Sequence, residues 1–310
     1  MNNTINDLKI HKKRNSLIEL YRFLFAMNVM IGHGLFPIDM KYFGPDRISV
    51  EFFFILSGYL FVASLEKYRD MPLNRALWKM TVSKVKPLFI PLVIGLISNA
   101  ILNYLTSYNP LKVFRYLWYI PAMIIAFLIF TSLRILIKSD KCFWRVVASI
   151  FVVSTLLRFS GSETLFFFDY LRSALAVSLG MLLTRIPKFP NNRKWICWMI
   201  LIPVAITIFV IVFLRLAKDE RFYEALLDIV LYPILIYVTF NIDFHSPILN
   251  YIGGLSFGIY AFQCPARLLS ETVDISAWIP FALIFVLALT EDTVKRILTY
   301  RKGKINAVGG

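Results

Sequence analysis

Ionisable side chains stand inside two apolar stretches near the start of the chain. The first stretch carries Glu19, Arg22 and His33, and the second carries Glu51. A charge inside a membrane span costs at least about 2.5–3.5 kcal/mol, so such residues are candidate functional groups by default. A histidine can act as a general base or as a nucleophile near neutral pH, and a neighbouring carboxylate can orient its ring.

The spacing of these residues predicts that they share one side of a helix. Eleven residues separate Arg22 from His33, which at about 100° per residue brings the two side chains to within about 20° of each other. We predict His33 and Glu51 at a similar depth, as catalytic base and orienting carboxylate. Structural alternatives stay open: His33 satisfies a backbone group, Glu51 caps the N-terminus of its helix, and Arg22 extends to the membrane surface.

The composition of the chain indicates which elements hold these residues. Of 310 residues, 58% are hydrophobic, 16% are aromatic and only 17% are charged. Soluble globular domains are about 45–50% apolar and about 25% charged, and disordered chains contain few aromatic residues. The sequence therefore excludes both classes and predicts a polytopic membrane protein whose apolar surface faces lipid.

Ten stretches are candidate membrane helices, each of which needs about 20 mostly apolar residues. We predict an all-α fold: a single transmembrane helical bundle over residues 1–310, with about ten spans and polar tails at 1–15 and 295–310. The predicted spans are 16–36, 48–65, 87–106, 116–137, 146–160, 165–185, 195–217, 225–241, 252–269 and 276–293.

The basic residues indicate the orientation of the predicted bundle. The net charge is +15, from 34 Lys and Arg against 19 Asp and Glu. Most of these cations fall in the tails and in the loops on the side of the N-terminus, which predicts that both termini are cytoplasmic. The loop at 243–250 is an exception, since it should be cytoplasmic but has no Lys or Arg. This topology accounts for the positive charge, so no nucleic-acid partner is expected.

The two apolar stretches also carry motifs that resemble a known family. The first contains Ile18-Glu19-Leu20, Arg22 and His33 and is preceded by Arg14, and residues 50–59 read Val-Glu-Phe-Phe-Phe-Ile-Leu-Ser-Gly-Tyr. Together they resemble the first two helices of acyltransferase family 3, the integral-membrane bacterial O-acyltransferases of surface polysaccharides.

Later segments resemble the same family more loosely. Lys84-Val-Lys86-Pro is similar to a basic family segment with Lys in place of Arg, and Trp118-Tyr119 is similar to a Trp–aromatic pair. The run Leu-Ser-Phe-Gly-Ile-Tyr260 resembles a further motif, but Gln263 stands where the family often has a histidine.

The resemblance implies that an acyl group, expected to be acetyl, passes from cytoplasmic acyl-CoA to a hydroxyl of a cell-surface glycan, glycolipid or lipid-linked saccharide. Acyl-CoA is then a co-substrate, no cofactor is bound permanently, and the protein lies in the bacterial plasma (inner) membrane. The implied catalytic residues are His33, as general base or acyl carrier, and Glu51. The implied CoA-phosphate ligands are Arg14, Arg22, Lys84 and Lys86. The implied substrate-binding residues are Ser57, Trp118, Tyr119, Tyr260 and Gln263.

Several alternatives accompany this interpretation. Trp118 and Tyr119 also suit a membrane anchor, and Ser57 with Gly58 suits close helix packing. Arg172 lies in an apolar segment and is a weaker candidate for a pore-lining charge. The rival functions are an exporter of glycans or small solutes, whose path the charges would line, and an inactive relative that binds glycan. Three scattered His and three scattered Cys predict no metal site, and the sequence does not indicate the oligomeric state.

Overall fold

The computed structural model describes residues 15–33, 35, 46–106, 118–159, 168–213, 220–272, 276 and 278–308, and every element in these ranges is a helix. A π-helical stretch occupies Leu226–Leu231, and short 3₁₀ turns occupy Glu66–Tyr68 and Asn191–Arg193. The helices are α1 Ser16–Gly32, α2 Asp46–Leu65, α3 Leu73–Thr106, α4 Tyr119–Leu136, α5 Asp140–Phe159, α6 Phe168–Leu183, α7 Lys194–Phe213, α8 Glu220–Ala225, α9 Tyr232–Thr239, α10 Pro247–Gly254, α11 Ser256–Thr272 and α12 Trp278–Val308.

The helices include segments that can cross a membrane. In the described ranges, four stretches are long and apolar enough to do so: Ser49–Tyr68, Tyr119–Leu136, Asn191–Val212 and Phe222–Thr239. The all-α prediction is confirmed for the described part of the chain, and each of the ten predicted spans contains helix. The number of crossings and the side on which the termini lie stay predictions.

Helices α3 and α12 extend far beyond their predicted spans. Helix α3 starts at Leu73 and continues through Pro87 and Pro91, although a proline removes one backbone hydrogen bond and tends to kink a helix. Helix α12 continues through residues 295–308, most of the predicted polar tail. Lys295 and Arg296 pair with carboxylates one turn earlier, and such i,i+4 pairs stabilise an exposed helix.

Helices α2 and α6 pack unusually closely. Gly58 on α2 faces the backbone of Val177, and Gly180 on α6 faces the backbone of Ile55, so a Cβ at either glycine would lie closer than 3.0 Å to backbone atoms. Small residues allow helix backbones to approach in this way inside membranes. The close approach expected at Gly58 is therefore present, and it fixes α2 against α6.

Polar contacts gather several loops at one end of the bundle. Asn15 caps α1 and its Nδ2 donates to the carbonyl oxygens of Thr239, at 2.9 Å, and Ile242, at 2.7 Å. Lys194 pairs with Asp243 at 2.8 Å. The loop without Lys or Arg therefore lies beside the start of α1, at the end that the sequence predicts to be cytoplasmic.

A second set of contacts joins the loops after α2 and α4. Arg134 is 1% exposed; its Nε lies 3.1 Å from Glu66 and its Nη2 lies 2.6 Å from Asp140. Arg69 also pairs with Asp140, at 3.3 Å. These ion pairs hold the ends of α2 and α4 to the start of α5.

Candidate functional site

A cavity of about 420 Å³ opens between α1, α2, α3, α4, α11 and α12. This volume is in the range of pockets that hold small molecules and cofactors. Four of the sequence-predicted site residues line it: Arg22, Ser57, Tyr119 and Tyr260. Apolar side chains form most of the remaining wall, so the cavity combines an apolar body with a few polar groups.

Two cations stand on the wall of the cavity near the end where α1 begins. Arg22 Nη1 donates to both carboxylate oxygens of Glu19, at 2.9 and 3.2 Å, and its side chain remains 31% exposed. Lys295 on α12 lines the same cavity and pairs with Glu291. A phosphorylated ligand would therefore meet an arginine and a lysine that carboxylates already orient.

Hydroxyl groups lie in the middle of the cavity. Ser57 Oγ is 3.4 Å from Tyr119 Oη, which also lies 3.3 Å from Met123 Sδ. The Tyr119 and Tyr260 rings meet edge to face with their centroids 5.6 Å apart. These groups offer hydrogen bonds to the polar atoms of an extended ligand.

His33 lies at the C-terminal end of α1, beyond the residues that line the cavity. Its backbone N–H donates to Val29 O at 3.1 Å, and its Nδ1 lies 3.2 Å from Arg267 Nη1 on α11. One turn before Arg267, Gln263 is 3% exposed and donates to Ala26 O at 3.4 Å. The contact between α1 and α11 thus leads from Tyr260 in the cavity past Gln263 to His33.

Glu51 is fully buried in a cluster of charges. Its Oε1 lies 2.5 Å from Arg172 Nε and 3.3 Å from Arg158 Nη2, and Arg158 Nη2 in turn lies 2.8 Å from Asp228. Asp228 belongs to the π-helical stretch before α9, and such stretches often occur at functional sites. The cluster joins α2, α5, α6 and that stretch.

The predicted contact between Glu51 and His33 requires correction. Asn28 on α1 bonds Ser49 on α2 at 2.7 Å, so these two residues lie at one depth. His33 is five residues beyond Asn28 and Glu51 is two residues beyond Ser49 in the opposite direction, which separates them by about 10 Å along the axes at about 1.5 Å per residue. Arg158 and Arg172, and not His33, are the partners of Glu51. A buried carboxylate needs a paired positive charge, and a guanidinium always carries one.

The remaining predicted residues lie away from the cavity wall. Trp118 stacks near Arg172, with the guanidinium carbon 5.5 Å from the ring centroid, and thus borders the Glu51 cluster. Lys84 Nζ lies 5.1 Å from the ring centroid of Phe127. Lys86 is exposed on α3, one residue before the cavity-lining Pro87. Arg14 lies outside the described residues.

Sequence reasoning missed Arg158, Asp228, Arg267 and Lys295. Asp228 stands inside the predicted span 225–241 and Arg158 inside 146–160, so the cost of an intramembrane charge was a signal that could have identified both. Arg267 follows from no local pattern, because its partner His33 lies on α1. Lys295 pairs with Glu291 one turn earlier, but its place in the cavity wall depends on which helices α12 packs against.

The fold and this site define a helical membrane protein with a largely apolar cavity that has a few polar groups on its wall. The family model described as an acyltransferase domain matches residues 15–290, so the chain belongs to acyltransferase family 3 and is a membrane acyltransferase. The chain is also similar to a serine/alanine racemase of Enterococcus gallinarum, with 30% identity over 153 residues. That match covers 42% of this chain and only 21% of the racemase. No solved structure matches the chain.

Proposed function

We propose that the protein moves an acyl group, acetyl in the first instance, from cytoplasmic acyl-CoA to a hydroxyl of a cell-surface glycan or glycolipid. The observation that carries this proposal is the cavity, which brings together Arg22, Ser57, Tyr119 and Tyr260 from four helices. Family membership supplies the reaction class. The donor, the acceptor and the residue roles are our own inference.

The cations at one end of the cavity suit the donor. CoA carries phosphates, which guanidinium and ammonium groups bind through charge-assisted hydrogen bonds. Arg22 and Lys295 line the cavity beside carboxylates, and Lys86 is exposed on α3, one residue before the cavity-lining Pro87. In the proposed complex, phosphates bind these two cations while Glu19 and Glu291 keep the cations in position.

The body of the cavity suits the arm that carries the thioester. Val50, Phe53 and Phe257 give it an apolar wall, and the hydroxyls of Ser57 and Tyr119 give it polar contacts. In the proposed complex the arm continues along the contact between α1 and α11, past Gln263, towards His33. There His33 acts on the transfer as general base, as transient acyl carrier or through a hydrogen bond to the thioester.

The racemase relative does not extend the proposal. Only about a fifth of that protein is matched, so we assign no amino-acid racemisation to this chain. The exporter alternative differs in a measurable way, since an exporter would release no free CoA from acyl-CoA.

A complementation experiment tests the proposal in cells. The O-acyl content of surface glycan is measured by NMR in a strain that lacks the gene and carries wild type, His33→Ala or His245→Ala. His245 is a matched control because it is an exposed histidine near the opposite end of the bundle. We expect wild type and His245→Ala to restore O-acylation and His33→Ala to fail at equal protein level. Full restoration by His33→Ala would overturn the assigned role of His33.

A further inference from the structure

The contact between His33 and Arg267 constrains the state of the imidazole. Arg267 Nη1 lies 3.2 Å from His33 Nδ1. A guanidinium has only N–H donors and no acceptor, and it stays protonated in proteins. A hydrogen bond at this distance therefore requires a lone pair on Nδ1, which is present only in the neutral ring with its proton on Nε2.

We propose that Arg267 is a positioning residue that holds His33 neutral in the Nε2–H tautomer. An imidazolium, or a ring protonated at Nδ1, would direct an N–H at the guanidinium and lose this bond. Arg267 can hold this position because Tyr260, Gln263 and Arg267 recur at spacings of three and four residues, on one face of α11. Tyr260 lines the cavity and Gln263 bonds Ala26, so this face also aligns α11 with α1.

The tautomer decides which of the proposed catalytic roles His33 can perform. This part of the inference rests on the proposed function. A ring whose Nδ1 accepts from Arg267 and whose Nε2 carries the proton has no lone pair available for a general base or an acyl carrier. It can instead donate Nε2–H to the thioester carbonyl oxygen, as a neutral histidine does when it polarises a carbonyl. The acceptor hydroxyl oxygen then attacks the carbonyl carbon, the C–S bond breaks, and the hydroxyl proton passes to the leaving sulfur.

Nitrogen-15 NMR tests the ring state directly. The chain has only three histidines, so ¹⁵N-histidine labelling of the purified full-length protein in nanodiscs gives few signals, and His33→Gln assigns those of His33. At pH 7 we expect the Nε2 of His33 to be protonated and its Nδ1 to be unprotonated. The ¹⁵N chemical shift of Nδ1 should differ from that of an unprotonated ring nitrogen without a hydrogen bond. Doubly protonated His33, or His33 protonated at Nδ1, would overturn the proposal.

Arginine variants show whether Arg267 is the residue that holds His33 in the Nε2–H tautomer. Arg267→Met should move the Nδ1 signal, Arg267→Lys should retain most of the wild-type shift, and Arg185→Met, at an exposed arginine elsewhere, should leave it unchanged. An Nδ1 shift identical in Arg267→Met and wild type would refute the assignment.

Kinetics separate this inference from the proposed function. We expect Arg267→Met to lower kcat for CoA release about tenfold to a hundredfold, by analogy with the range seen when an outer-shell partner of a metal-bound histidine is removed, with KM for acyl-CoA unchanged. A rise in KM at constant kcat would place Arg267 in donor binding and contradict the positioning role. If wild type releases no CoA, the proposed function fails, while the NMR result still decides the tautomer.

Discussion

Substitution of Gly180 by alanine tests whether the close approach of α2 and α6 supports the site. A Cβ at Gly180 would lie 2.8 Å from Ile55 C and Tyr59 N, and closer still to Ile55 O. Ordinary contacts of a Cβ begin at 3.4 Å, so the contacts with Ile55 C and Tyr59 N alone require the helices to separate by about 0.6 Å, and the closer carbonyl oxygen of Ile55 requires more. All of the opposing atoms are backbone, which cannot move aside by a change of rotamer.

The expected cost follows from overpacking. Insertion of a methyl group into a well-packed interior costs about 1–3 kcal/mol, while alanine gains at most about 1 kcal/mol over glycine in a helix. Because the opposing atoms belong to the backbone, we expect a cost in the upper part of this range, so Gly180→Ala should lower the free energy of unfolding by about 1–2 kcal/mol. The separation also lengthens the 2.5 Å contact between Arg172 on α6 and Glu51 on α2.

Gly95 offers a matched control on another helix. The nearest atom that a Cβ at Gly95 would meet is Ala261 O at 3.9 Å, an ordinary contact. Gly95→Ala should therefore be neutral or stabilising by up to about 1 kcal/mol. An SDS titration in mixed micelles, monitored by circular dichroism, gives the free energy of unfolding of each variant. The packing argument would be refuted if both substitutions changed the free energy of unfolding equally, or if Gly180→Ala did not lower it.

Three further predictions concern the buried and cavity-lining charges. Arg172→Met should lower the free energy of unfolding by up to about 3 kcal/mol, the lower end of the cost of breaking a buried ion pair, because Glu51 keeps Arg158 at 3.3 Å. In the same SDS titration, the double variant with Glu51→Gln should lose less than the sum of the two single losses, and strict additivity would contradict the pairing. Arg22→Gln should raise KM for acyl-CoA about tenfold in a CoA-release assay, equivalent to about 1.4 kcal/mol of binding, and an unchanged KM would remove Arg22 from the donor site. Arg134→Met should destabilise the protein by about 1.5–3 kcal/mol, because it removes charge-assisted hydrogen bonds to Glu66 and Asp140, which are partly exposed. We expect KM to stay unchanged, so a KM effect would refute the purely structural role of Arg134.

The sequence supported the fold class and part of the site because both depend on local pattern. Apolar stretches of helical length indicate membrane helices, and the spacing from Arg22 to His33 fixes their side of α1. Arg22, Ser57, Tyr119 and Tyr260 then meet in one cavity, although they come from four helices. All four residues stand in segments that resemble the family motifs.

The partners of the catalytic candidates could not be predicted, because they depend on which helices become neighbours. Glu51 meets Arg158 and Arg172 from α5 and α6, and His33 meets Arg267 from α11. The sequence indicates only that a buried carboxylate needs a partner. It gave no basis for choosing an arginine over an imidazole, since both residue types occur in the predicted spans.

Acyl transfer by the purified protein tests the central claim most directly. The protein in nanodiscs receives acetyl-CoA with a ¹³C-labelled acetyl group, together with bacterial envelope glycan stripped of its O-acyl groups by mild base. We predict a labelled ester on glycan hydroxyls with one CoA released per ester formed, at a rate at least about 10²-fold lower in folded His33→Gln. Absence of both CoA release and labelled ester in wild type, or an unchanged rate in His33→Gln, would contradict the account.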